Sequence, residues 1–501
     1  MNIQSFLQHH GLSENPFEGE EARHDPVFER LMASSSNHPD FDKIIGWLDR
    51  PSTSVVFGEK GSGKTAIRLR IGQKVTEHNG QQSEGRILLV PYDDMNPVLD
   101  RLMHHRQRKL GLHLSQDAKI EKLLSEIRLE DHQDAILSLA LTPLVDAMLS
   151  KPVDYRTDGN EKPQLPSGWV NRVKKMSRQR RVDLAVMAAI YDQPRSGSSL
   201  TRWFALHKKL RLRRLPRVLL LELFGTIFTI LAVALFVASE TPYGTAVPEQ
   251  LLLSGASVFA GVAVLIWVLW GMRQITLWWL ARQICKEVLA GDRSGRDLRV
   301  MFGAMRRSDL RGIPWPTATL RGSGQDSRYQ LTSRLLDSLE SLGYRGMMVL
   351  VDRVDEPMIV RGNPQRMRSL IWTMFDNKFL QQERVGLKLL LPIELRHLLH
   401  RESPDFFQEA RLDKQNLVDR LTWSGVTLYD LCSMRLGICR CEAGVSDAGA
   451  ASNSDPPSGG EDGAAEPPRI NLMSLFEPDV TREMLVDALD QMHQPRDAFK
   501  F

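Results

Sequence analysis

The stretch Ser54-Val55-Val56-Phe57-Gly58-Glu59-Lys60-Gly61-Ser62-Gly63-Lys64-Thr65 decides the fold. It opens as a short apolar run of strand length, and the remainder matches G-x-x-x-x-G-K-[ST] in full. A helical pattern follows from Lys64 to Val75. Strand, glycine-rich turn and helix in that order form a cradle for phosphate. Glycines let successive N–H groups turn inward around anionic oxygens, where side chains would obstruct them. The amino terminus of the helix adds its partial positive charge. Gly58, Glu59, Lys60, Gly61, Ser62, Gly63, Lys64 and Thr65 are therefore candidate phosphate contacts. Lys64 suits the β- and γ-phosphates, and the Thr65 hydroxyl suits Mg²⁺.

Further apolar runs of strand length are Arg86 to Val90, Met347 to Val351 and Leu387 to Leu391. Helical patterns at Tyr329 to Leu342 and Gln365 to Leu380 alternate with them. Short, continuously apolar strands alternating with helices predict an α/β fold, a parallel sheet sandwiched by helices. The run at Met347 ends in acids, Asp352-Arg353-Val354-Asp355-Glu356. An acid at the carboxyl end of such a strand faces the crevice where ligands bind. Asp352 is the expected Mg²⁺ residue, acting through a water, and Asp355 or Glu356 the expected base for an attacking water. Asp355 is slightly favoured, and Arg353 stands where many ATPases carry a second acid.

The chain of 501 residues carries 65 Lys+Arg against 61 Asp+Glu, so net charge argues for no particular partner. Cys285, Cys432, Cys439 and Cys441 are too few for a disulfide framework and fit a reducing compartment. The Cys439-x-Cys441 pair has no second ligand pair nearby for a metal. Met1 to His10 is polar and lacks the apolar core of a signal peptide.

Two long apolar runs interrupt this polar background. Val218 to Ala238 is apolar apart from Glu222, Gly225, Thr226 and Thr229, and Leu251 to Met272 carries no charge. Each meets the requirement of about 20 residues for crossing about 30 Å of hydrocarbon. Lys208, Lys209, Arg211, Arg213, Arg214 and Arg217 precede the first, and Arg273, Arg282 and Lys286 follow the second. The connection from Ser239 to Gln250 has no Lys or Arg. Positive charge marks the cytoplasmic side, which predicts a two-span hairpin in a lipid bilayer with both termini inside. Trp267, Trp270, Trp278 and Trp279 cluster toward the second exit as an interfacial belt. Glu222 reads as a residue reaching the interface. The expected organisation is a first part of the core over 1–200 and the hairpin with its flanks over 201–290. A second part of the core follows over 291–400, and a helical lid over 401–501. Gly444 to Pro468, rich in Ala, Ser, Gly, Pro, Asp and Glu, reads as a disordered insertion in that lid.

A phosphate-loop domain with an apolar hairpin between its two nucleotide strands resembles the KAP family of P-loop NTPases, in the STAND and AAA-like branch. The opening, His10-Gly11-Leu12 with Asn15-Pro16-Phe17, is similar to ORC/ExeA-type ATPases, and Val349 to Pro357 to the family's D-x-x-D Walker B segment. Gln494-Pro495-Arg496-Asp497 resembles the start of a sensor 2 helix, which implies that Arg496 reads the γ-phosphate. The resemblance implies an inner-membrane ATPase that binds ATP and Mg²⁺ and acts as a switch or scaffold in signalling. Related bacterial members occur in antiphage defence. A homo-oligomer or a protein effector is the implied partner. Two departures stand out: Glu394 lies where a polar sensor 1 residue is expected, and the chain stops at Phe501 just past the sensor 2 turn.

Two alternatives stay open at this point. Arg172, Lys174, Lys175, Arg178, Arg180 and Arg181 fall in a helix expected over Asn171 to Val182, which suits either a nucleic-acid or anionic-lipid contact or a solvated face. The first would make the chain a DNA-tethering or DNA-remodelling ATPase. A scaffold that binds nucleotide without turnover is the other alternative. Arg396, Arg401, Arg411 and Arg420 are candidates for an arginine finger, and Trp423 to Leu436 suits a lid helix.

Overall fold

The computed structural model describes residues 3–19, 21–32, 38–107, 115–150, 163, 165–194, 197–212, 216–240, 248–289, 291, 293–317, 324–440 and 471–500. The insertion expected over 444–468, and Cys441, lie outside the described residues. Strands β1 (Ser54–Gly58), β2 (Arg86–Tyr92), β3 (Tyr344–Val351), β4 (Val385–Pro392) and β5 (Asn416–Val418) form one sheet in the order β2-β3-β4-β1-β5. Every pairing is parallel. β4 lies between β1 and β3, with Val55 opposite Leu389 and Val349 opposite Leu387. The strands are mostly apolar because helices cover both faces, with Lys388 of β4 the buried exception treated below. Val55, Phe57, Val349, Leu389 and Leu391 pack on one side with helices Leu129–Leu149, Arg178–Tyr191 and Gly324–Ser341. Val56, Met348, Leu350 and Leu390 pack on the other with Ile67, Ile71 and Val75 of helix Lys64–Gln81.

The connection from β2 to β3 carries the two apolar helices, Pro216–Glu240 and Glu249–Glu287. Both are long and apolar enough to cross a membrane, and only 11% of each apolar window is buried. They pack on each other through polar contacts. Trp270 Nε1 donates to Glu222 Oε1 at 3.0 Å, and Trp267 Nε1 donates to Thr229 Oγ1 at 3.2 Å. Glu222 is therefore tied to the neighbouring helix, where the sequence suggested a side chain reaching the interface. At Gly225 a Cβ would stand 3.2 Å from the Trp267 ring, so glycine permits the close approach.

The second helix outruns the apolar segment Leu251 to Met272 and continues unbroken to Glu287. Its 39 residues give a rod of about 58 Å at 1.5 Å per residue, well beyond one hydrocarbon thickness. Leu277, Leu280, Ala281 and Ile284 on the extension are buried in the main core. A buried ion cluster holds both feet of the hairpin. Arg202, before the first apolar helix, donates from Nε and Nη2 to the two oxygens of Asp192 at 2.7 and 2.9 Å, and also meets Asp146. Arg293, after the second, donates to the carbonyls of Asp192 and Ala188.

The basic stretch is not one helix. It divides into Trp169–Lys175 and Arg178–Tyr191, because Met176 is extended and the Ser177 hydroxyl caps the second helix at Arg180 N. Its arginines are engaged within the chain. Arg172 meets Glu84, Arg178 meets Asp309 at 2.6 Å, Arg180 donates to Ser341 Oγ, and Arg181 donates to Leu210 O. The pattern at Gln365 to Leu380 is likewise divided, into Pro364–Ile371, a short 3₁₀ turn and Asn377–Leu380.

Lys388 sits in the middle of β4 with no exposed surface, and among the described residues its ammonium donates only to Ser52 O at 2.7 Å. Burial lowers its pKa from the ordinary 10.5 to about 7. Between those values the unfolded chain binds the extra proton, so this residue makes stability rise with pH across the window and fall to its minimum below it. Replacing it with Met is expected to stabilise the full chain at pH 7 by about 4 kcal/mol. Thermal melts in detergent from pH 7 to pH 10 test this. The gap between Lys388→Met and wild type should shrink as pH rises, and parallel profiles would refute the assignment.

Candidate functional site

The loop from Gly58 to Thr65 joins β1 to helix Lys64–Gln81 at the carboxyl edge of the sheet. Gly61 and Gly63 have φ of 98° and 95°, a region that side chains other than glycine adopt only with strain. The helix cap is Gly63, which offers no side-chain acceptor, so the first helical amides are left for another acceptor. Ser62 Oγ donates to Glu59 O at 2.9 Å and fixes the turn. Lys64 Nζ donates to Gly58 O at 2.6 Å and to Glu59 O at 2.8 Å, so the ammonium lies over the loop's own carbonyls. Desolvation lowers its pKa, opposed by the charges of Asp352, Asp355, Glu394 and Glu59. The Thr65 hydroxyl makes no hydrogen bond among the described residues and faces the same cleft.

The acidic side comes from β3. Asp352 follows its last residue and is 2% exposed. Burial raises its pKa, and Arg68 is the largest opposing influence. Its Oδ2 accepts no hydrogen bond, and Arg68 Nε stands 3.5 Å away. Arg353 adopts φ 60° and donates to Glu356 Oε2 at 3.1 Å. Glu356, one of the two expected bases, is therefore held by its neighbour on an exposed turn. The Asp355 side chain makes no such pairing and lines the cleft. β4 supplies Glu394 at the first turn of helix Ile393–Leu399.

The ends of β1, β3 and β4 thus enclose one cleft of about 320 Å³. Lys64, Thr65, Asp352, Asp355, Glu356, Glu394 and Arg496 all line it, so the residues expected from sequence converge. Among the described residues no cluster of three or more His, Cys, Asp or Glu is disposed as a metal cage.

The expected lid forms a second wall, through contacts that the sequence did not show. Segments near both ends of the chain fold over the loop. Trp423 Nε1 donates to Ser62 O at 3.0 Å, and the His38 ring, edge-on to the indole at 4.8 Å, holds Thr422 O at 2.9 Å. Arg420 Nη2 donates to Glu59 Oε1 at 2.5 Å, and Gln494 donates to the other Glu59 oxygen. Arg496 packs so close that a Cβ on Gly61 would stand 3.0 Å from its own Cβ. On the far side Arg435 is buried, bridging Asp25 at 2.7 Å and stacking on Phe499 at 4.6 Å. The lid helix runs Gly425–Ile438, two residues later than its expected span at each end. Arg23, Arg68 and Asp93 were also missed, although Arg68 lies one helical turn past Lys64 and so on the same face.

The remaining finger candidates divide. Arg396 is paired with Asp419 at 2.6 Å, Arg420 with Glu59, and Arg411 ends a helix at φ 49°. Arg401 is exposed beyond helix Ile393–Leu399. Cys439 is buried and unpaired as a disulfide. No protein-family model, curated protein or solved structure matches the chain.

Trp423→Phe keeps the aromatic packing and removes only the indole N–H. A buried hydrogen bond of this kind is worth about 1 kcal/mol. Hydrogen exchange should therefore quicken by about fivefold in residues 58–65 while exchange in β3 is unchanged. Unchanged protection of the loop would show that the lid does not hold it.

Proposed function

We propose that the chain is a membrane-anchored ATPase that binds ATP with Mg²⁺ and works as a nucleotide-dependent switch. The observation that carries this is the convergence of a glycine-rich loop, its lysine, and a buried acid from a distant strand on one cleft. The loop amides and the helix amino terminus suit the phosphate chain, and Lys64 would move from the carbonyls of Gly58 and Glu59 onto it. The donors fit a divalent cation. Asp352 Oδ2 is a buried carboxylate oxygen without a partner, and the Thr65 hydroxyl is unengaged beside the loop. Thr65 and Asp352 would hold Mg²⁺, which supplies charge neutralisation between the outer phosphates.

Asp355 is the better-placed base, because Glu356 is occupied by Arg353. Arg496 and Trp423 reach the loop from the lid, so a change in the loop is felt there directly. The two apolar helices would anchor the protein in a bilayer, at the inner membrane with the core cytoplasmic, and their feet are fixed into that core. The organisation resembles KAP-family NTPases, and a signalling or defence role with a homo-oligomer or protein effector accords with that likeness. The ion pair between Arg353 and Glu356 favours one second reading, a scaffold that binds nucleotide without turnover.

ATP binding and hydrolysis by the detergent-purified chain test the two together. Lys64→Ala is expected to weaken ATP binding by at least about a hundredfold, the worth of a charge-assisted phosphate contact. Asp355→Ala should bind ATP as wild type does and lose at least about a hundredfold in turnover, as expected for a missing base. Binding without turnover in wild type and Asp355→Ala alike would favour the scaffold. Binding that survives Lys64→Ala would remove the nucleotide reading.

A further inference from the structure

Arg68 stands one turn beyond Lys64 on the same helix, with its side chain 3% exposed. Its Nη1 donates to Asp93 Oδ2, an oxygen that also accepts from Arg23 Nη2 at 2.6 Å. The guanidinium is thereby pinned at the ends of β2 and β3. From there its Nε stands 3.5 Å from Asp352 Oδ2 without forming a hydrogen bond. Arg68 Nε, Arg68 Nη2 and Asp352 Oδ2 all lack partners. Two buried ionic groups are in contact, and their bonding capacity toward each other is left open. A buried charge is costly unless an opposite charge compensates it. Lys64 is turned onto loop carbonyls, so the nearest compensating cation for Asp352 is Arg68.

We propose that Arg68 is a positioning residue that carries the countercharge of Asp352 whenever no divalent cation is bound, so that nucleotide enters the cleft with or without the metal. The inference rests on the nucleotide reading above. With Arg68 in place, the carboxylate presents little net charge to an incoming phosphate chain. Without it, the same carboxylate repels the phosphates until a divalent cation stands between them. Anchorage to Asp93 keeps the guanidinium beside Asp352 without a full hydrogen bond to it, so Oδ2 stays available to a metal. Arg68 touches neither phosphate nor metal in this arrangement; it acts through Asp352.

The test is titration of ATP into the full chain in detergent, once with Mg²⁺ and once with EDTA. In the wild type the two Kd values should differ by less than about tenfold, equivalent to about 1.4 kcal/mol. Arg68→Met should keep the wild-type Kd in Mg²⁺ and show a ratio above about tenfold in EDTA. Arg68→Lys restores the charge and should return the ratio to the wild-type range. A merely structural Arg68 would weaken binding equally in both buffers, and that result overturns the proposal. So does a wild-type ratio above about tenfold, which is decisive even if Arg68→Met fails to fold. Wild type that binds no ATP in either buffer overturns the nucleotide reading itself, an outcome distinct from a strong metal requirement.

Discussion

The parallel pairing of β4 between β1 and β3 is the constraint on which the rest depends. It sets the carboxyl ends of three strands side by side although their residues are far apart in the chain. Gly58 meets Pro392 across that pairing, and Val351 meets Leu389. The loop lysine, the buried aspartate and Glu394 share a cleft for this reason alone. No local signal brings them together. A parallel sheet needs a crossover between successive strands, and crossovers tolerate long insertions at modest entropic cost. The apolar hairpin and its supporting helices occupy one such crossover, and the strands they separate still pair in parallel from Ile87 to Tyr92 after one register shift at Arg86.

How much of this was legible follows from the range of the forces involved. β1 to β4 are largely apolar runs, Lys388 aside, and stand out because burial on both faces writes itself into neighbouring residues. β5 is three residues long, one of them the polar Asn416, and gives no comparable signal. The tight turn after β1 was legible, because Gly61 and Gly63 answer to backbone geometry within a few residues. The basic stretch misled, because charge spacing continues smoothly through Met176 and Ser177 while the backbone does not. The lid contacts were out of reach. Trp423 and Ser62 are 361 residues apart, and an indole N–H finding a carbonyl at that separation leaves no pattern in either segment.

Electrostatics distinguishes the two halves of the cleft. On the loop side the lysine is satisfied by carbonyls, and the glutamate at the loop's second position is gripped from the lid by Arg420 and Gln494. On the strand side Asp352 and Arg68 leave hydrogen-bonding capacity unused. Well-folded interiors seldom leave buried ionic atoms unbonded, so the strand side is where a ligand has most to contribute. Lys388, buried at the middle of the sheet, shows that the fold also holds a poorly compensated amine away from the cleft.

The unbroken helix Glu249–Glu287 has a mechanical consequence. It contains no proline and keeps its helical bonding over 39 residues, with one end among exposed apolar side chains and the other in the core. A member of this kind is a lever arm. Tilting a rod of about 58 Å by about 5° carries its far tip through about 5 Å, roughly one helical turn. Because the clamp at Asp192 fixes the adjoining segments, the fulcrum lies inside the sheet domain, and small angular changes there are magnified at the distal end.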